Sequence, residues 1–262
     1  MTSFKKIKSE KNNNITGQFF FRKKSQNDSG ENCFSVLTTF NSVYNYYSAL
    51  QNNEVFKSMK IKDCYSLTLA KAVIDKLSSE KIPAGKDNSL PESFYNDLTE
   101  SLLTENSDRE LILIYLKQMT NIMKRGGLIL FQNRLAVAAD PAMEKESLFL
   151  RLLESFWNKT DWSEIFPSSP ESAHKLHEKR NIFAELVQSF YTEVSIEDIS
   201  NDFFEMTDLC EQNDYFMISF LDFYLITWFK HFGIIDYVTR NNSEIIYLSV
   251  HDYGRDIIRR IL

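Results

Sequence analysis

Two stretches of this chain, about a hundred residues apart, follow the same plan, and that repetition limits the folds open to it. In each, an apolar segment with helical spacing stops at glycine and is followed by two short apolar runs around a polar turn. The first stretch is Glu110–Arg125, then Gly126-Gly127, then Leu128–Phe131 and Leu135–Ala139 around Gln132-Asn133-Arg134. The second is Tyr215–Phe232, then Gly233, then Ile234–Thr239 and Ile245–Val250 around Arg240-Asn241-Asn242-Ser243. Glycine ends a helix by accepting the left-handed conformation, and a polar turn between short apolar runs marks a hairpin. A fixed order recurring at this distance reads as an internal duplication.

The residues ahead of each stretch extend the parallel. Ser66 is placed to cap a helix Leu67–Ser79 in which Leu69, Val73, Ile74 and Leu77 recur at helical spacing. The segment from Ile82 to Pro91, with two prolines and a glycine, reads as loop with at most a short extended piece. Pro91 suits the first turn of a second helix reaching about Leu103. After a brief turn at Glu105-Asn106, Ser107-Asp108-Arg109-Glu110 is a capping-box pattern for the third helix. In the other half, Ser168, Ser169 and Pro170 open a helix to about Tyr191, and Thr192–Val194 is extended. Ser195 starts a helix to about Leu209, and Gln212-Asn213 turns into the long apolar helix. Between the halves, Asp140-Pro141 restarts a helix carrying Leu148, Phe149, Leu152, Leu153, Phe156 and Trp157; His251–Leu262 closes the chain as a helix.

Helix, short strand, helix, tight turn, helix and two-stranded wing is the order of a winged helix–turn–helix. The sequence therefore predicts a mainly α protein with short β-hairpins. It holds two winged-helix-like units in tandem, 66–166 and 167–262, behind a flexible basic tail, 1–32, and a helical N-terminal segment, 33–65. The helix of that segment is expected from Phe34 to about Leu50. Only 7 Gly and 5 Pro leave too little punctuation for a sandwich or barrel, while 21 Phe and 12 Tyr supply a large core.

Charge and cysteine usage narrow the function classes. Residues 1–32 carry seven basic side chains against three acids, so the rest of the chain is more acidic than the net −6 suggests. An acidic body repels nucleic acid on average, whereas a basic tail can serve as a loose electrostatic arm. Cys33, Cys64 and Cys210 are odd in number and far apart, which suits a reducing cytoplasm better than a disulfide or zinc framework. The first twenty residues lack the apolar run of a secretory signal. The most membrane-like stretch, Tyr215–Phe229, is 15 residues long and interrupted by Asp222. A spanning helix needs about 20 apolar residues, so a buried helix is expected and no membrane partner.

The run Lys76-Leu77 … Ile82 … Gly85 … Asn88-Ser89-Leu90-Pro91, then Gly127-Leu128-Ile129 and Asp161-Trp162, resembles a group of plasmid-associated bacterial proteins of uncharacterised activity. Phe232-Gly233-Ile234-Ile235 … Tyr247-Leu248-Ser249 … Gly254 extends the resemblance over roughly residues 66–262. It implies paired winged-helix-like units and brings no activity with it. The chain departs from that pattern after the first wing, where Ala138-Ala139-Asp140-Pro141-Ala142 replaces a Thr-x-x-Gly turn.

The third helix of a winged helix is the one that enters a major groove. Along Glu110–Arg125, one side is apolar and the opposite stripe holds Lys117, Gln118, Asn121, Lys124 and Arg125, types that reach bases and phosphates. Arg134 at the wing tip would add a phosphate contact. The same residues also describe an ordinary solvated face. In Tyr215–Phe232 the polar stripe shrinks to Tyr215, Ser219, Asp222 and Lys230, so that helix is expected in a core or an interface. Asp222 is placed on this narrow wet stripe beside Ser219.

No catalytic constellation stands out. His174 and His177 share a helix face but lack a His-Glu-x-x-His frame, and His231 and His251 are remote in sequence, so no metal is expected. There is no Gly-x-Ser-x-Gly, and Gly85-Lys86 lacks the earlier glycine of a phosphate loop. No enzyme activity and no cofactor are expected. Two readings remain: a protein-interaction or scaffolding module, with self or another protein as partner, and a DNA-binding regulator acting through the stripe.

Overall fold

The computed structural model describes residues 61–105, 107–167, 169–207, 209, 221–239 and 246–262, without the side chains of 222–224 and 239. It also describes the backbone of 21–26 and 32–37. These last two segments are strands, β1 (Phe21–Gln26) and β2 (Asn32–Leu37), paired antiparallel from Phe21↔Leu37 to Gln26↔Asn32. The hairpin corrects two expectations: 21–26 is not loose tail, and 34–37 is not helix. The connecting sequence contains Asn27, Asp28, Ser29 and Gly30, all turn formers, and Cys33-Phe34-Ser35-Val36-Leu37 is rich in residues that favour strands. The rest of the expected tail and N-terminal helix, 1–20 and 38–60, lies outside the described residues.

The first half runs α1 (Tyr65–Ser79), β3 (Ile82–Pro83), α2 (Glu92–Leu102), α3 (Arg109–Arg125), β4 (Ile129–Gln132) and β5 (Leu135–Ala138). Helix α4 (Lys145–Glu154) then continues into a π-helical stretch, Ser155–Lys159, and the short α5 (Trp162–Ile165). The second half runs α6 (Pro170–Ser189), β6 (Val194–Ser195) and α7 (Ile196–Thr207). A π-helical stretch Leu221–Ile226 leads into α8 (Thr227–His231), followed by β7 (Ile235–Thr239), β8 (Ile246–Val250) and α9 (Asp252–Ile261). The chain is mainly helical with two small antiparallel three-stranded sheets, ordered β3-β5-β4 and β6-β8-β7.

The halves match in detail. In the first sheet Ile82 pairs with Ala136, which pairs with Phe131; in the second Val194 pairs with Leu248, which pairs with Tyr237. Both third helices end in the same hydrogen-bond pattern. Gly127 N donates to Lys124 O and Leu128 N to Met123 O; Gly233 N donates to Lys230 O and Ile234 N to Phe229 O. The two glycines sit at φ 65° and 67°, the left-handed position of this helix-ending motif. Lys124 then lies over the ring of Phe131 and Lys230 over that of Tyr237, at 5.7 and 4.2 Å. The same relative positions recur in each half.

Three helix starts differ from expectation. Helix α1 begins at Tyr65 behind Cys64, and Ser66 is buried in its first turn with Oγ 3.2 Å from Cys64 Sγ. Asp108, not Ser107, caps α3: its Oδ1 accepts from Glu110 N and Leu111 N. A carboxylate is the stronger acceptor, and Ser107 instead meets Thr104. Asp140 turns on itself, accepting from Ala142 N, and the helix waits until Lys145. Ser195 does cap α7, accepting from Asp198 N.

Buried apolar residues form one continuous cluster through both halves. The linking segment is its centre. Phe156 stacks on Trp162 (5.1 Å) and on Trp228 (5.4 Å), Trp157 meets Phe229, and Phe149 meets Phe232 edge-on. Trp157, Trp162 and Trp228 are fully buried. The π-helical stretch is anchored to the first half by Ser155, whose Oγ donates to Ile122 O at 2.6 Å. Such one-turn widening re-aims side chains, here the paired rings of Phe156 and Trp157.

Candidate functional site

The polar stripe expected on α3 is mostly engaged within the chain. Gln118, expected on the surface, is only 5% exposed, and its Oε1 accepts from Trp228 Nε1 at 3.1 Å. This corrects its assignment to a solvent face: the neighbour that covers it is more than a hundred positions away. Asn121 Nδ2 donates to Glu164 O, and Arg125 forks onto the Glu164 carboxylate through Nε and its terminal nitrogen. Lys117 pairs with Glu92 at 3.0 Å and lies over Tyr95. Lys124 is half-buried against Phe131, and burial pushes its pKa down. Arg134 is exposed at the turn between β4 and β5, where Asn133 and Arg134 both have positive φ. Of the stripe only Gln118 is buried, under Trp228 of α8; Lys117, Asn121 and Arg125 are tied to Glu92 and Glu164 while the Lys117 and Arg125 side chains stay 43% and 50% exposed.

The two histidines that share a helix face, His174 and His177, have partners within the chain. His174 faces Glu178 at 3.4 Å, while His177 Nε2 lies 3.2 Å from Trp157 O and its ring packs on Trp162. Among the described residues no cluster of three metal-ligating side chains occurs. The Asp222 side chain lies outside the described residues.

What the halves do create is a cleft of about 610 Å³ where they meet. The start of α1 supplies Asp63, Cys64 and Tyr65; the first turns of α3 supply Asp108, Leu111, Ile112 and Tyr115. From the second half come Lys230 and His231 of α8, then Gly233, Asp236 and Tyr237. Spacing could not unite Tyr65, Tyr115 and His231, because only the docking of the halves brings them together. His231 was legible merely as a lone histidine.

His231 is 8% exposed, and its ring packs against Tyr115 (4.5 Å), Tyr65 (4.8 Å) and Trp228 (5.4 Å). Its Nε2 is buried and has no hydrogen-bond partner among the described residues. Burial, then the adjacent Lys230, push its pKa down to about 3, so the imidazole is neutral. Burial also raises the Cys64 thiol, which stays protonated near neutral pH. Both shifts favour the uncharged form of the group. The rim is charged: Asp63 is held by Lys145 at 2.7 Å, which lowers its pKa, and Asp236 by His251 at 2.6 Å. The cleft therefore has an aromatic floor under a carboxylate rim.

The chain matches no protein-family model, no curated protein and no solved structure. Among the described residues no helix is long and apolar enough to cross a membrane.

Proposed function

We propose that this chain is a cytoplasmic protein-interaction or scaffolding module made of two winged-helix units, with no DNA reading through its third helices. The supporting observation is the mutual burial of those helices. In a winged helix the third helix lies free to enter the major groove. Here α3 gives Gln118 to Trp228 of α8 and Tyr115 to the ring of His231. Lys117, Asn121 and Arg125 are engaged with Glu92 and Glu164. The acidic body, which repels nucleic acid on average, points the same way.

A gel shift of the full chain against mixed duplex DNA, at low salt and at ~200 mM, tests the reading, because phosphate-driven binding falls steeply with salt. The chain and its Lys124→Glu, Arg125→Glu variant are expected to behave alike. Salt-sensitive binding abolished by that variant, with the fold intact by circular dichroism, would overturn the proposal in favour of a DNA-binding regulator.

A further inference from the structure

We infer that the cleft between the halves docks a basic peptide segment of a partner protein, an inference that rests on the interaction-module reading above. Among the described residues lining the cleft, three carboxylates, Asp63, Asp108 and Asp236, stand with one lysine, Lys230, while Lys145 holds Asp63 from outside the lining. Lys230 is drawn aside, 4.2 Å over the ring of Tyr237. Asp63 and Asp236 are 92% and 61% exposed; each commits one oxygen to its internal partner, and the second makes no hydrogen bond among the described residues. The floor between these acids is apolar and aromatic, with the rings of Tyr65, Tyr115 and His231 in mutual contact. A lysine or arginine fits both parts: its stem lies on apolar surface, its cation faces aromatic rings, and its head reaches a carboxylate. An acidic segment would meet the same rim as repulsion. The Nε2 of His231 at the floor marks hydrogen-bonding capacity that the described residues leave unmet.

Fluorescence anisotropy of the full chain with labelled short peptides of alternating Lys/Leu, Gln/Leu and Glu/Leu tests this. The Lys/Leu peptide is expected to bind tightest and to weaken as salt rises. Asp63→Asn combined with Asp236→Asn is expected to weaken it about tenfold, or ~1.4 kcal/mol. Lys230→Glu is expected to tighten it, a gain that misfolding cannot produce. Equal binding of all three peptides, or no binding of any, overturns the inference. Lys/Leu binding that ignores every substitution also overturns it, by placing the docking face elsewhere while the module reading stands. DNA binding through Lys124 and Arg125 in the gel shift would sink that reading whatever the peptides do.

Discussion

The indole N–H of Trp228 donates to the side-chain carbonyl of Gln118 at 3.1 Å, joining the third helix of one half to that of the other inside the core. Both groups are buried, so neither has water as an alternative partner. Leaving one buried polar group unpaired costs about 1–3 kcal/mol, whereas replacing both by apolar groups can cost little. Gln118→Met and Trp228→Phe are each expected to destabilise the chain by about that amount in urea titrations. The double substitution should cost clearly less than the two together, with a coupling of roughly 1 kcal/mol. Strict additivity would show that the bond contributes nothing to joining the halves.

Gly254 and Gly127 are expected to resist alanine for different reasons. A Cβ on Gly254 would lie 1.9 Å from Ile234 O, a backbone atom that cannot rotate away. Helix α9 would have to lift off the start of the second sheet, and such overpacking costs about 1–3 kcal/mol or more. A Cβ on Gly127 meets nothing within 4 Å, but the backbone there is left-handed at φ 65°. That conformation alone costs a side-chain-bearing residue about 1–2 kcal/mol. Thermal melts should rank Gly254→Ala as the more damaging; the reverse order would mean that α9 is not packed against Ile234 in solution.

His231 gives stability a specific pH dependence. Its pKa falls from 6.5 when unfolded to about 3 when folded, chiefly through burial. Between those values the unfolded chain binds the extra proton, so stability is complete above about 6.5 and is lost as pH falls toward 3. The loss by about pH 4.5 is of order a few kcal/mol. Acids whose pKa is lowered, Asp63 and Asp161 among them, add their own loss at lower pH. His231→Phe keeps an aromatic ring among Tyr65, Tyr115 and Trp228 and removes the titration. Its stability relative to the parent chain should therefore rise steadily as pH falls from 6.5, and parallel curves would place His231 in contact with water.

The internal repeat was legible because it is carried by local rules. Gly127 and Gly233 close their helices by backbone conformation, Ile82-Pro83 cannot continue a helix, and Ser195 caps the one that follows. What covers the polar side of α3 was not legible. Helical spacing separates Gln118 and Asn121 from the apolar side, but it cannot say that Trp228 and Glu164 will come to lie against them. The cleft was hidden for the same reason: Tyr65, Tyr115 and His231 belong to elements whose meeting depends on how Phe156 and Trp157 lock the halves together. The hairpin at Phe21–Leu37 is a different failure. Asn27 to Gly30 are turn formers, but the aromatic and aliphatic residues from Phe34 onward fit a helix as well as a strand, and only the pairing with Phe21–Gln26 decides between them.

The two halves are expected to unfold together. All three tryptophans, Trp157, Trp162 and Trp228, lie in the shared aromatic centre, and α1, α2 and α3 contain none. If the halves were independent domains, those helices could melt at their own midpoint, changing circular dichroism while leaving tryptophan emission unmoved. But Ser155 holds Ile122 O, Trp228 holds Gln118, and Phe156 touches both Trp162 and Trp228, so loss of α3 exposes the tryptophan cluster at once. Urea transitions followed by far-ultraviolet dichroism and by tryptophan emission should therefore coincide, the test of a single cooperative unit. A dichroism change that precedes the emission change would separate the halves, and with them the cleft that only their docking creates.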